Sequence, residues 1–180
     1  MKTRRGVVSV LAGVALLGGG VVAHAHDHHG RAKGLVHAVR EGTAAFRDVT
    51  TAMLAGYGSS GSCVSGPDEG AMGIHYPNGD LIGDGALDAS RPEVLIYEQK
   101  GGRLHLVGAE FLVLYDEWHA DPDHVQAPVL MGQHFNYAGS PNRYGLPRYY
   151  ELHVWAWRDN PKGTFTNWNP RVTCDEYEGE

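Results

Sequence analysis

The sequence predicts an α+β domain in which an N-terminal amphipathic helix packs on an antiparallel sheet that is curled or barrel-like. Three observations support this fold class. An amphipathic segment comes first, strand-like runs follow from Met72 onward, and the clearest pair of runs is apolar on both faces. A sheet covered on both faces is either sandwiched or curled around a filled interior. The alternative is a mainly β sandwich or barrel with one helix.

The N-terminus has the pattern of an export signal peptide over residues 1–25. A basic start precedes an uncharged apolar run, and small residues close that run, so we expect cleavage after Ala23 or Ala25. Cleavage after Ala25 removes three basic residues and leaves 12 against 21 acidic ones, a net charge of about −9. We therefore expect an exported protein, secreted or periplasmic (cell-envelope). Neither a nucleic-acid partner nor membrane insertion after signal removal is expected of it.

Residues 26–33 are predicted to form a flexible His-rich tail. Cleavage after Ala25 makes His28 the third residue of the new chain, and cleavage after Ala23 makes His26 the third. The free α-amine, the next two backbone amide nitrogens and that imidazole can then wrap Cu(II) or Ni(II) in a square plane. The alternative is a flexible polar spacer whose histidines bind metal only adventitiously.

Cys63 and Cys174 are the only cysteines in the chain. In an oxidising compartment an even pair favours a disulfide, which here would tie the region after the predicted helix to the C-terminus. The rival interpretation is a pair of metal-binding thiols, but nothing near either cysteine supplies a second thiol. We therefore predict a Cys63–Cys174 disulfide.

A helix is predicted over residues 35–57, at the start of a single globular domain over residues 34–180. Its apolar residues mostly follow three- and four-residue spacing, and Gly56 and Gly58 end it. A single apolar stripe means that the helix lies on another element. The stripe consists of Leu35, Val39, Phe46, Val49, Met53 and Leu54.

Strand patterns follow the helix, from MGIHY at 72–76 to YYELHVWAW at 149–157. Between them, two β-rich runs at 93–115 flank Lys100-Gly101-Gly102, a hairpin signature whose turn is either the first or the second pair of these residues. Strict alternation along the hairpin gives two apolar faces. One face carries Leu95, Tyr97, Leu104, Leu106, Leu112 and Leu114, and the other carries Val94, Ile96, Val107, Ala109, Phe111 and Val113.

Three polar residues inside these apolar strands form our candidate metal site. Glu110 lies mid-strand on the leucine-rich face, and His75 and His153 are each the interior polar residue of a strand. A buried carboxylate is costly unless it is paired or binds a metal, and neutral imidazoles with a carboxylate suit zinc, copper or iron. His134, in a loop, is a candidate fourth ligand. The alternatives for Glu110 are a position at the edge of the sheet and a salt bridge to an arginine such as Arg148. The alternative for the two histidines is a structural role, in which each is hydrogen-bonded to a carbonyl group.

Trp155, Trp157 and Tyr150 belong to an aromatic group late in the chain. One interpretation is that they fill the core. The other is that they form the wall of a ligand pocket for a sugar ring or another flat apolar molecule. Serine catalysis has no support, since no G-x-S-x-G motif stands in the chain.

Four strings of the sequence resemble a family of small exported bacterial proteins of uncharacterised function. They are GAMGIHY (Gly70–Tyr76), RPEVLIYE (Arg91–Glu98), ELHVWAW (Glu151–Trp157) and NWNP (Asn167–Pro170). The similarity covers most of the mature chain, from about Gly42 to Cys174. The resemblance implies one compact exported domain and carries no activity, cofactor or catalytic assignment.

The predicted export signal and the candidate metal site lead to the hypothesis of an exported metal-binding protein, with copper or zinc as its divalent transition-metal cofactor. One form of this function is a small metalloenzyme. The alternatives are an exported small-ligand-binding module with an aromatic pocket and a purely structural exported domain. The expected partner is accordingly a metal ion or a small molecule. No motif in the chain specifies a reaction.

Overall fold

A computed structural model of the protein describes residues 21–179, with side chains from Gly30 onward. Its fold confirms the predicted class. The helices are α1 (Val21–Thr43), α2 (Val49–Leu54), α3 (Gly79–Ile82) and α4 (Tyr115–Trp118), with a 3₁₀ helix at Ala44–Arg47. The strands are β1 (Cys63–Gly66), β2 (Gly70–Pro77), β3 (Val94–Lys100), β4 (Arg103–Leu114), β5 (Val129–Leu130), β6 (Gln133–His134), β7 (Asn136–Ala138) and β8 (Tyr149–Val154). Six of these strands form an antiparallel, strongly curled half-barrel in the order β1-β2-β3-β4-β8-β7, and β5 pairs with β6.

The predicted helix over 35–57 is divided into separate elements. Helix α1 ends at Thr43, whose hydroxyl donates a hydrogen bond to the carbonyl of Val39. Asp48 then starts α2 as its N-cap, because its carboxylate accepts the backbone N–H of Thr50. Apolar spacing alone missed this break, since the residues before and after Asp48 both face the same sheet.

Helix α1 is described from Val21 onward, so residues 26–33, for which the sequence predicts a flexible tail, have helical backbone in this structure. The flexible tail remains a prediction. The predicted signal peptide over 1–25 lies almost wholly outside the described residues. Within the described part, no helix has both the length and the apolar character that a membrane span requires.

The β3–β4 hairpin is present, and its turn is the second of the two predicted pairs. Lys100 pairs with Arg103, so Gly101 and Gly102 form the turn, with φ values of 59° and 69°. Two consecutive residues at positive φ are what a tight hairpin turn of matching twist requires, and glycine reaches that region without steric cost.

A β-bulge in β4 changes which residues share a face of the sheet. Tyr97 pairs with Leu106, but its neighbour Ile96 pairs with Gly108, so Val107 is an extra residue. The two apolar faces predicted from strict alternation are therefore wrong beyond the bulge. From that point on, the even-numbered residues of β4 lie on the same face as Val94 and Ile96, the face opposite to that of Leu106.

Glycine at the bulge permits a close approach of the neighbouring strand. A Cβ atom on Gly108 would lie 3.0 Å from the carbonyl oxygen of Val154 and 3.3 Å from the ring of Trp155. A larger residue would push β8 away from β4. The bulge and the glycine together fix how β8 lies beside β4.

Helices α1 and α2 cover one face of the sheet, and mostly loops cover the other. Leu35 and Val39 of α1 pack on Phe111, while Ala52 of α2 packs near Tyr97. The opposite face, which carries Ile96, Val94 and Leu112, is covered by α3, by the loop over 139–148 and by the C-terminal segment. The helix face holds the larger part of the apolar core.

The predicted disulfide is present and joins Cys63 of β1 to Cys174, 111 residues along the chain. The C-terminal segment is also attached through Glu98, whose buried carboxylate accepts hydrogen bonds from Arg158 at 2.7 Å and from the backbone N–H of Thr173 at 3.1 Å. These two attachments hold the segment against the loop-covered face of the sheet.

Glu93, directly before β3, is a buried carboxyl that is 2% exposed. Its Oε2 accepts the backbone N–H of Leu112 at 3.0 Å. Burial raises the pKa of Glu93 from its ordinary value to about 8; Asp84 adds to the rise, while the Leu112 N–H and Arg91 oppose it. Glu93 is therefore largely protonated in the folded chain below that pH.

Reduction of the disulfide should lower the free energy of unfolding. The chain-entropy model gives about 4–5 kcal/mol for a loop of this length, and measured values are usually smaller. Urea unfolding with and without a reductant measures the effect. The double variant Cys63→Ala/Cys174→Ala is the control and should not respond to reductant. Unchanged stability of the native protein after complete reduction would contradict the proposed contribution.

The Glu93 carboxyl should make the folded state less stable as pH rises. Its folded pKa of about 8 exceeds the value of 4.5 expected in the unfolded chain, so only the folded state keeps the proton between these values. The stability is complete below about pH 4.5 and is lost as pH rises through 8, a difference on the order of 3–5 kcal/mol.

Urea unfolding at pH 5 and pH 9 of the native protein and of Glu93→Gln tests this expectation. Glutamine keeps the acceptor oxygen and stays neutral, so the variant should lose clearly less stability between the two pH values. Equal losses in both proteins would show that Glu93 does not titrate in this way.

Candidate metal centre

Three of the side chains predicted as metal ligands lie together in the structure. His75 of β2, Glu110 of β4 and His153 of β8 each offer a ligand atom, and these atoms all lie within 4.8 Å of one another. Nε2 of His75 is 3.5 Å from Oε2 of Glu110, and the two imidazole centroids are 5.9 Å apart. The three residues are 5%, 3% and 0% exposed, so the group is buried.

Sheet register and curvature bring these side chains together. His153 pairs directly with Glu110, whereas His75 pairs with Ile96 on the intervening strand β3. Strands β2 and β8 are three strand spacings apart, about 14 Å in a flat sheet. The imidazoles meet at 5.9 Å because this face is the concave side of the half-barrel.

The two histidines are neutral at neutral pH. Burial lowers the pKa of His75 to about 4, an effect that the backbone of Gly73 only partly offsets. Burial lowers the pKa of His153 to about 3, and the proximity of His75 adds to this. No ring nitrogen of either residue makes a hydrogen bond of normal geometry with another described group. Each ring therefore has a free lone pair in a site where unpaired polar atoms are costly.

A second carboxyl lies beside Glu110. Burial raises the pKa of Glu110 well above its ordinary value, and the neighbouring Glu151 raises it further through its charge and through a hydrogen bond between the two carboxyls. Glu151 is 8% exposed and accepts a 2.6 Å hydrogen bond from the side-chain amide of Asn167. A dication would relieve the crowding of these two acidic groups.

Glu151 is not among the site residues predicted from the sequence, although the alternation along β8 offered a signal for it. Glu151 alternates with His153 along β8, and it pairs with Leu112, two residues from Glu110 on β4. The acidic pair follows from that register, because side chains two residues apart on neighbouring strands share a face.

Both alternatives considered for Glu110 are wrong. Strand β4 is central in the sheet, between β3 and β8, so Glu110 does not occupy an edge. Arg148 instead pairs with Asp116 at 2.6 Å and lies over the ring of Tyr115. Among the described residues, no arginine or lysine forms an ion pair with Glu110.

A cavity of about 290 Å³ adjoins the group of three ligands. His75 and Glu110 form part of its wall, so a metal between the ligands would face the cavity. Its other walls are mostly apolar, with a few hydroxyl groups and one guanidinium. The remaining lining residues are Ser60, Ser62, Pro77, Ile82, Val94, Leu112, Arg143, Tyr144 and Leu146.

The other predicted metal ligands do not join the group in the described structure. His134 is exposed on β6, where it pairs with Val129, and it is not among the three residues whose ligand atoms converge. His26 and His28 lie in the first turns of α1, outside the residues whose side chains are described. Their predicted N-terminal chelate remains a prediction.

The three predicted pocket aromatics occupy separate environments. Trp155 packs on the concave side with Ile96, and its Nε1–H donates to the carbonyl of Thr166. The strand ends at Val154, and Trp157 turns to the helix side, where its Nε1–H donates to the Thr43 hydroxyl. Tyr150 also lies on the helix side, with Phe111. None of the three lines the cavity beside the metal ligands.

Comparison with family models, with curated proteins and with solved structures found no match to this chain. The function is therefore argued from the site itself.

Replacing His153 by leucine should make the metal-free protein more stable. The variant removes two buried ring nitrogens that lack hydrogen-bond partners, each of which costs about 1–3 kcal/mol, and the side-chain volume changes little. Urea unfolding in the presence of a chelator measures the difference. The exposed histidine variant His105→Leu is the control and should leave stability unchanged. A large loss of stability in His153→Leu would show that the imidazole has a structural partner in the folded protein.

Proposed function

We propose that this protein is an exported metal-binding protein that holds zinc or copper between His75, Glu110 and His153. The observation that carries the proposal is the convergence of three buried ligand atoms within 4.8 Å, in a group where both imidazoles lack hydrogen-bond partners. Among the described residues, the ring nitrogens of both histidines have no hydrogen-bond partner, and Glu110 is bonded only to a second carboxyl, that of Glu151. A metal ion would satisfy all three side chains at once.

The donor set fits these two metals. Zinc in proteins is bound by imidazole nitrogen and carboxylate oxygen, and catalytic zinc sites have three protein ligands and one open position. Copper(II) binds the same donors and has the highest intrinsic affinity of the common divalent ions. Glu151, which hydrogen-bonds to Glu110, would hold that carboxyl in place or supply a fourth ligand.

The position of the cavity supports a metalloenzyme as the specific form of this function. His75 and Glu110 line the cavity, so the open side of a bound ion would face a space that a small molecule can enter. In such a site the ion polarises a bound molecule or activates water. The chain's own residues would bind the ion and exclude bulk water from it.

Export is the second part of the proposal. The Cys63–Cys174 disulfide fits an oxidising compartment outside the cytosol. We further propose that the signal peptide is removed after Ala23 or Ala25 and that His26 or His28 then supplies the N-terminal copper chelate.

Two other functions fit the structure less well. A ligand-binding module with an aromatic pocket would need Trp155, Trp157 and Tyr150 in one cavity, and they lie in separate environments. A purely structural domain would need good internal partners for His75 and His153. His75 has only a 3.5 Å contact with Glu110 and the nearby backbone of Gly73, and the ring nitrogens of His153 have no hydrogen-bond partner among the described residues. The buried ligand group therefore favours metal binding over both.

Metal stoichiometry in a chain without the N-terminal histidines tests the proposal. A variant with His24, His26, His28 and His29 replaced by alanine should still retain about one zinc or copper ion per chain after dialysis, measured by mass spectrometry of the metal. In that background, His75→Ala and His153→Ala should each abolish stoichiometric binding. Glu110→Gln should weaken the affinity about tenfold or more, because it removes the anionic ligand.

His134→Ala is the matched control, since it removes a histidine outside the group, and it should retain full metal content. Circular dichroism of each variant verifies folding. A well-folded protein that retains no zinc or copper, or that keeps its metal after loss of both His75 and His153, would overturn the proposal.

A further inference from the structure

We propose that the cavity beside the metal centre binds a small organic carboxylate with an apolar body, and that Arg143 is the group that recognises its charge. The inference rests on the proposed metal function and names the class of molecule that the site takes. It is carried by the volume of the cavity, by its lining and by the charges that surround it.

The volume sets the size of the ligand. The cavity measures about 290 Å³. An apolar cavity of about 150 Å³ holds benzene, so this one accommodates roughly a dozen non-hydrogen atoms. That size excludes peptides, oligosaccharides and nucleotides as fully enclosed ligands.

The lining favours an apolar body with a polar end. Ile82, Val94, Leu112 and Leu146 supply aliphatic surface on several sides of the cavity. The polar side chains are few: His75 and Glu110 of the candidate metal centre, Arg143, and the hydroxyl groups of Ser60, Ser62 and Tyr144. Binding sites of this type bury an apolar body and orient it through a small number of polar contacts.

The charges favour an anion. Among the described residues that line the cavity, Arg143 is the only arginine or lysine and Glu110 is the only acidic residue. A divalent ion bound by Glu110 would offset the negative charge of Glu110 and of its neighbour Glu151, so that the guanidinium leaves the cavity with a positive charge.

The Arg143 guanidinium is available for a ligand. It lies 5.8 Å from the ring centroid of Trp168, and no described carboxylate forms an ion pair with it. A guanidinium can donate two parallel hydrogen bonds to a carboxylate, which is a stronger and more directional contact than a neutral hydrogen bond.

The loop that carries Arg143 is held in shape by its neighbour Asn142. The Asn142 amide donates to the carbonyls of Gly139 and Leu146, and its oxygen accepts the backbone N–H groups of Tyr144 and Leu146. Because one side chain bonds both sides of the loop, the backbone that carries the exposed Arg143 side chain is held beside the cavity. A preformed loop reduces the entropy cost of binding a ligand.

Calorimetric titration of the zinc-loaded full chain tests this inference with octanoate, octanamide and octylamine, which share one apolar body and differ in charge. Octanoate should bind at least about tenfold more tightly than octanamide, the difference expected for a charge-assisted hydrogen bond, and octylamine should bind most weakly. Arg143→Gln should remove the preference for octanoate, and Arg143→Lys should restore part of it. Arg148→Gln is the matched control and should behave as the native protein.

Metal content is measured on the same samples, so the two proposals fail in different ways. Full metal content with no preference for octanoate, or with a preference that survives Arg143→Gln, would overturn the carboxylate site and leave the metal function standing. If the chain retains no metal, the same titrations on the metal-free protein decide. An Arg143-dependent preference would then support the carboxylate site alone, and its absence would overturn it.

Discussion

The register shift in β4 is the constraint on which the candidate site depends. One extra residue, Val107, moves Glu110 to the concave face, where it pairs with His153 and approaches His75. Without the bulge, the same alternation would place Glu110 among the residues under the helices. A register change of one residue exchanges the two faces of a strand. Without the bulge Glu110 would be a buried charge in the apolar core, and with it Glu110 is a candidate metal ligand beside a cavity.

Several buried polar groups on the concave face lower the stability of the folded state. Interactions elsewhere in the molecule offset this cost. The imidazoles of His75 and His153 are buried without hydrogen-bond partners, and Glu110 is held next to a second carboxyl. Such groups persist when the surrounding structure over-determines them, and they are concentrated at functional sites. Here the helix-side core, the Cys63–Cys174 disulfide and the buried Glu98 ion pair supply stabilising interactions away from the site.

Sequence patterns predicted the parts of this protein that local chemistry determines. The antiparallel hairpin and the disulfide follow from residue type and turn chemistry, and His75, Glu110 and His153 were identified as candidate ligands because they are polar residues inside apolar strands. Alternation alone placed Glu110 on the wrong face. Sequence patterns did not predict the bulge, because Gly108 looks in the sequence like any other glycine within a strand. What distinguishes it is the close approach of the β8 backbone, which depends on the tertiary structure. Because the bulge was not predicted, Leu112 and Leu114 were wrongly placed on the same face of the sheet as Leu106. Sheet curvature, which brings β2 and β8 together, and the position of His134 outside the site depend on contacts that no local pattern encodes.

Anomalous diffraction from crystals of the zinc- or copper-loaded protein tests the central claim most directly. Data collected at the absorption edge of the metal locate the ion without reference to activity. We predict one strong peak about 2.0–2.2 Å from a ring nitrogen of His75, a ring nitrogen of His153 and a carboxylate oxygen of Glu110. A peak confined to the N-terminal histidines, or no peak between these three side chains in a fully loaded crystal, would contradict the account.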